Sequence, residues 1–215
     1  MIDRLGDKMI NVLIVDDSRI AQDIMINRIK QSNRYNVIAV IENAANAEIV
    51  CMRGKVDLIL MDVCTADDES GIDSAAKIKE LYPGIKIIIM TSMPEYSFIK
   101  KAKEAGCESF YYKEFGDEDI VDICDRTMAG ESVYPNMSPV IKLGYIDSTE
   151  LTDREFEVIS ELALGYKYEE IADKLNISVN TVKYHIKNLL AKTGYRSSIQ
   201  LVADAIEKKL ILPKY

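Results

Sequence analysis

Five residues in the first half of the chain have the types and spacing that phosphoryl chemistry needs. Asp16 and Asp17 follow the apolar run 10–15, Asp62 follows 56–61, Thr91 closes 85–91, and Lys113 follows 109–112. Three carboxylates brought to one edge repel one another unless protons or a cation relieve them. An all-oxygen set without histidine or thiol suits a hard octahedral ion, Mg²⁺ first among them. A lysine and a threonine at the same edge would neutralise phosphoryl oxygens and donate a hydrogen bond to them. One carboxylate would then serve as acceptor, giving an aspartyl phosphate. A lone aspartate at a strand end is usually a turn or cap residue. Five matched positions on four strand ends argue for a site.

These residues need a scaffold that gathers strand ends. The runs 10–15, 35–41, 56–61, 85–91 and 109–112 are mostly β-branched and nearly continuously apolar, as strands covered on both faces must be. Helical spacing intervenes, as in Ile20 with Ile24 and Met25 with Ile29. Five β-α repeats predict an α/β fold, a doubly wound five-stranded parallel sheet. In such a sheet the first and third strands adjoin at the topological switch point, where ligands bind beyond the strand C-termini.

From residue 149 the strand signal disappears. Thr152 and Glu155 form a capping box that starts a helix, with Phe156, Ile159 and Ala163 recurring behind it and Gly165 stopping it. Ile171, Ala172 and Leu175 mark a short second helix. Ser178 caps a third, in which Val182, Ile186 and Leu189 face inward. A fourth runs from Ser198 to about Lys208. The third helix sets Asn180, Lys183, Tyr184, Lys187 and Ala191 on its other side, and the turn Asn176-Ile177-Ser178 joins it to the second. Cations, an amide and a phenol on a helix after a tight turn fit a helix-turn-helix placed in the major groove of double-stranded DNA. The expected domains are therefore 9–130, a linker over 131–148 marked by Pro135, Pro139 and Gly144, and an all-α four-helix domain over 149–215.

Charge follows the same division. The chain of 215 residues carries a net charge of −8. Residues 9–130 hold 14 basic and 21 acidic side chains, whereas 148–215 hold 10 of each. Within the second part, 174–203 contains Lys174, Lys183, Lys187, Lys192 and Arg196 and no acid. The acidic half should repel nucleic acid and this stretch can approach it. With one histidine, His185, a multi-histidine metal site cannot be built. The loops G-x-x-x-x-G-K-[ST] and G-x-G-x-x-G are absent. Cys51, Cys64, Cys107 and Cys124 have no metal-finger spacing and read as reduced thiols of a cytoplasmic protein. No apolar run is long enough to span a bilayer. The first eight residues lack a signal-peptide core, and Met9 is a second candidate start that would leave them as a non-structural arm.

The first half resembles the receiver domain of two-component response regulators. The residues that carry the likeness are Val15-Asp16-Asp17-Ser18, Leu60-Met61-Asp62, Met90-Thr91-Ser92, Ala105-Gly106 and Phe110-Tyr111-Tyr112-Lys113. The resemblance implies that Asp62 is the phosphoacceptor and that Asp17, with Asp16 and Asp62, binds the metal. It makes Thr91 and Lys113 the phosphoryl-binding pair and Phe110 the aromatic switch. One departure stands out: the loop after Asp62 lacks the usual Met-Pro, is one residue longer before Gly71, and carries Asp67, Asp68 and Glu69. Those acids either strengthen cation binding or repel the phosphodonor.

The second half resembles the LuxR-type helix-turn-helix through Leu151-Thr152-Asp153-Arg154-Glu155, Glu170-Ile171-Ala172, Leu175-Asn176-Ile177-Ser178, Thr181-Val182-Lys183-Tyr184-His185, Asn188-Leu189 and Lys192-Thr193-Gly194. The order of the two is that of the NarL/FixJ type. It implies DNA contacts by Lys183, Tyr184 and Lys187 with Thr181 near phosphate, a homodimer through Ile199, Val202 and Ile206, and a sensor histidine kinase as phosphodonor. A haloacid-dehalogenase-type phosphatase would need D-x-D after the first strand, where this chain has Asp16-Asp17-Ser18. The alternative that keeps the fold is a DNA-binding regulator whose receiver works without phosphorylation.

Overall fold

A computed structural model describes residues 9–94, 96–114, 118–136 and 139–211. Residues 1–8, including the stretch before Met9, lie outside the described residues. The chain forms two compact units that divide near residue 137.

In the first unit the strands are β1 (Ile10–Val15), β2 (Tyr35–Ile41), β3 (Leu58–Asp62), β4 (Lys86–Thr91) and β5 (Ser109–Tyr112). They form one parallel sheet in the order β2-β1-β3-β4-β5. The helices between and after them are α1 (Arg19–Gln31), α2 (Ala47–Arg53), α3 (Gly71–Leu81), α4 (Tyr96–Glu104) and α5 (Ile120–Met128). This is the doubly wound sheet that continuous apolar runs require, since β1, β3 and β4 are buried on both faces. β3 and β4 begin later than the apolar runs 56–61 and 85–91 suggest, because β1 pairs with β3 from Val12–Leu58 and β3 with β4 from Leu58–Lys86. The preceding Asp57 instead bonds Asn11, its carboxylate accepting from the Asn11 N–H at 2.9 Å.

On α1, Met25 and Ile29 pack into the core, whereas Ile20 and Ile24 are exposed. Helical spacing alone does not say which of two apolar stripes meets the sheet. At the other side of the sheet, β5 would be an open edge. The segment after α5 covers it: Phe110 N–H donates to the Val133 carbonyl at 2.8 Å, and Val133 N–H donates to Ser109 Oγ at 3.1 Å. Ser109 Oγ also pairs with Thr127 Oγ1 at 2.6 Å, and the Tyr134 hydroxyl donates to the Cys107 carbonyl at 2.7 Å. Val133 is buried among Ile88, Met90, Ile120, Ile123 and Cys124.

The second unit opens with a hairpin, β6 (Lys142–Leu143) against β7 (Ile146–Asp147), followed by α6 (Asp153–Ala163), α7 (Tyr168–Leu175), α8 (Val179–Thr193) and α9 (Ser198–Glu207). The stretch 131–148 thus holds an edge strap at one end and a hairpin at the other. Its prolines hide both, because each contributes only a few residues of pairing. Leu143 packs with Ile159, Leu189, Leu201 and Ala205 in one core cluster; Val158, Ile171, Ala172, Val182 and Ile186 form a second. Gly194 ends α8 at φ 79°, and a side chain there would meet the Tyr145 ring of the hairpin.

Ser109→Ala leaves Thr127 Oγ1 and the Val133 N–H without their buried partner, and should cost the first unit about 1–3 kcal/mol in urea unfolding. An unchanged transition would mean that the strap does not hold the edge.

Candidate phosphoryl site and nucleic-acid interface

The sheet order brings four strand ends together. Because β1 and β3 adjoin, Asp16 and Asp17 meet Asp62, and a ligand oxygen from each lies within 4.8 Å of the others. Lys113, just past β5, reaches back across β4. Its Nζ sits 2.6 Å from Asp16 Oδ2 and 3.0 Å from Asp62 Oδ1. Its backbone N–H donates to the Thr91 carbonyl at 2.8 Å, so β4 sets the height from which the side chain extends. Thr91 is buried at the end of β4.

The electrostatics follow from one cation among three carboxylates. Asp16 is fully buried and accepts from Ser18 N–H at 3.0 Å through its other oxygen. Burial pushes the Asp62 carboxyl up to about 7; Lys113 pulls it down and Asp16 pushes it further up. Desolvation and the neighbouring Asp16 also raise Asp17. Lys113 is held charged, its desolvation outweighed by Asp62 and Asp16. Val63 N–H donates to Asp62 Oδ1 at 3.0 Å, so both hydrogen bonds to this carboxylate fall on Oδ1. Among the described residues, Oδ2 is left without one.

Gly71 explains the close floor of the site. A Cβ on Gly71 would stand 1.8 Å from the Asp62 carbonyl oxygen. Phe110 points inward, 1% exposed, with its ring edge-on to Tyr112 at 5.0 Å between centroids. Its backbone N–H holds the Val133 strap, a bond that no side chain announces in the sequence. Gln22, whose Nε2 donates to the Asp16 carbonyl at 2.6 Å, was equally silent.

The second constellation lies on α8. Asn176 ends α7 in the left-handed conformation, and Ser178 caps α8 by accepting from Thr181 N–H at 3.1 Å. Thr181 spends its hydroxyl on Ser178 Oγ at 2.8 Å. Val182, Ile186 and Leu189 are buried, whereas Asn180, Lys183, Tyr184, Lys187 and Ala191 are exposed. The five cations of the acid-free stretch are not equivalent. Lys174 pairs with Glu161 at 2.9 Å and lies over the Tyr166 ring; Lys192 pairs with Glu155 at 2.8 Å. Burial raises the Glu155 carboxyl, but Lys192 and Thr152 outweigh it and hold it below the ordinary range. Lys183, Lys187 and Arg196 have no ion-pair partner among the described residues. On α9, Ile199 is 80% exposed, whereas Val202 leans on the core formed by Leu201 and Ala205, and Ile206 is half-buried.

Comparison with known proteins agrees with both halves. The response regulator receiver domain family matches residues 12–125, and the luxR family of bacterial regulatory proteins matches 149–205. The response regulator protein VraR of Staphylococcus aureus is 32% identical over 209 residues, 94% of this chain and 99% of VraR. Among solved structures, two RcsB dimers bound to two parallel DNAs align with a TM-score of 0.60 and 21% identity, over 93% of this chain and 98% of that one. RcsB of Salmonella enterica serovar Typhimurium, bound to promoter rprA in the presence of phosphomimetic BeF3−, aligns at 0.57 and 23%, over 91% and 97%. At these identities the structures speak to the fold. No helix among the described residues is long and apolar enough to cross a membrane. With a receiver model over one unit, a luxR model over the other, and a relative matched along nearly its whole length, the chain belongs to the DNA-binding two-component response regulators of the NarL/FixJ type.

Proposed function

We propose that the chain is a cytoplasmic transcription regulator switched by phosphorylation of Asp62. The observation that carries this reading is the Lys113 ammonium held between Asp16 and Asp62 in a crevice of three carboxylates. One ammonium against three carboxylates leaves the crevice over-charged, and its all-oxygen donor set fits Mg²⁺. Asp16, Asp17 and Asp62 would hold that ion, which supplies positive charge for the phosphoryl oxygens.

Asp62 Oδ2 attacks the phosphorus of a phosphohistidine on a sensor kinase, or of a small acyl phosphate. The P–N or P–O bond to the donor breaks, and the donor leaves with that electron pair. Lys113 then pairs with the new phosphoryl oxygens, and the Thr91 hydroxyl donates to another. The side chains around Asp62 contribute charge and orientation, so the crevice is a receptor for one phosphoryl group and the output is DNA binding. Phe110 lies on β5, the strand that leads into Lys113, which suits a switch residue responding to that rearrangement. Phosphate then favours one of two existing arrangements of the chain.

For the output, Lys183, Tyr184 and Lys187 on the exposed face of α8 contact double-stranded DNA, with Thr181 beside the backbone phosphate through its capped helix start. Two copies pair through Ile199, Val202 and Ile206 on α9 and read two half-sites. Ile199 is the residue most available for that contact, since Val202 also serves the core.

Incubation with acetyl phosphate and Mg²⁺ should give an acid-stable, hydroxylamine-labile adduct that is lost in Asp62→Asn and in EDTA. Absence of an adduct from the folded wild type, also with a sensor kinase as donor, would leave the phosphorylation-independent regulator. On a duplex selected from a random pool, Lys183→Ala and Lys187→Ala should each weaken binding and lower the salt dependence by about one counterion. Lys174→Ala, whose ammonium already serves Glu161, should leave that slope unchanged. Equal effects of all three would contradict the assignment.

A further inference from the structure

The loop after Asp62 has one residue too many for the receiver pattern, and the structure shows where it goes. Cys64 and Ser70 form an antiparallel bridge that closes the loop on itself. Inside it, Asp67 takes the left-handed conformation at φ 62°. The Thr65 hydroxyl is buried and joins three segments: it accepts from Ala44 N–H at 3.0 Å and donates to the Glu69 carbonyl at 2.8 Å. Thr65 N–H also donates to the Glu69 carbonyl, and Ala66 N–H donates to the Glu42 carbonyl at 2.9 Å. Asn43 completes the clamp. Its Oδ1 accepts from Ala45 N–H at 2.8 Å, while its Nδ2 donates to Asp67 Oδ2 at 2.8 Å. The turn between β2 and α2 therefore grips the acidic loop by backbone and side chain together. Among the described residues, no fourth carboxylate joins Asp16, Asp17 and Asp62.

From this we infer that Asn43 and Thr65 are positioning residues that hold Asp67 and the loop around it off the phosphoryl crevice, keeping it open to an anionic phosphodonor. The inference rests on the acceptor role proposed for Asp62. Phosphodonors are anions, and a carboxylate free to swing within a Debye length of the acceptor would oppose their approach and attract a cation instead. Thr65 fixes the loop's closure, and Asn43 fixes the one charge at its left-handed corner. Neither residue touches the reacting atoms.

The test uses the full chain, with circular dichroism to verify folding. Initial rates of adduct formation from acetyl phosphate at saturating Mg²⁺ should fall several-fold in Asn43→Ala and in Thr65→Val. Thr65→Ser, which keeps the hydroxyl, should retain the wild-type rate. Asn43→Ala combined with Asp67→Asn should recover it, a rescue that a merely structural role for Asn43 would not give. Calorimetric titration with Mg²⁺ alone should show tighter binding in Asn43→Ala and wild-type binding in the double variant. Wild-type rates and Mg²⁺ affinity in a folded Asn43→Ala, or no rescue by Asp67→Asn, would overturn the inference. If wild type itself forms no adduct, the acceptor role of Asp62 fails, and the Mg²⁺ titrations still decide whether the clamp holds the charge away.

Discussion

The Lys113 ammonium, 2.6 Å from Asp16 and 3.0 Å from Asp62, is the contact around which the first unit is arranged. Without it, three carboxylates would crowd one crevice with no ion-pair partner among the described residues to offset them. Even with it, the offset is partial. A carboxyl raised to about 7 in the folded chain, from about 4 when unfolded, loses stability as pH climbs between those values. At neutral pH the ionised crevice is thus a strain on the fold, and whatever brings positive charge or takes up an oxygen relieves it. The order β2-β1-β3-β4-β5 sets the ends of β1 and β3 side by side and within reach of Lys113 across β4, so that one ammonium meets both carboxylates.

The same economy of charge shapes the second unit. Lys174 and Lys192 are bound to Glu161 and Glu155, and so stabilise the packing of α6 against the helices that follow it. That leaves Lys183 and Lys187 on the open face of α8. A stretch that looks uniformly cationic along the chain is thereby sorted by the fold into cations that build and cations that are available. Fixing the first kind is what orients the second, because α8 is held by Val182, Ile186 and Leu189 on one side and by Lys192 at its end.

Much of this is legible in the sequence for definite reasons. Strands covered on both faces write themselves as apolar runs, and strand-end residues follow from them; Asp16, Asp17, Asp62, Thr91 and Lys113 were therefore readable as one group. Helix starts at Thr152 and Ser178 were readable because capping is local. What stayed hidden depends on backbone groups or on partners far along the chain. The Val133 strap is built from a carbonyl and an amide, which no residue type advertises. Ile20 and Ile24 share their spacing with buried pairs, yet face away. The linker's hairpin is too short to carry a strand signal. The acidic loop posed two alternatives as sequence; the bonds of Thr65 and Asn43 favour an open crevice only once the turn after β2 is seen beside it.

The strap also ties the edge of the sheet to the segment that follows α5. Phe110 N–H holds the Val133 carbonyl, and β5 ends at Tyr112, one residue before Lys113. The most direct test of the switch at Asp62 is the affinity of the full chain for a selected duplex, measured in Mg²⁺ before and after phosphorylation, beside Asp62→Asn. Phosphorylated wild type should bind more tightly, and the variant should keep the basal affinity of the unmodified chain. Equal affinity of the unmodified chain and of chain verified to carry the adduct would contradict it.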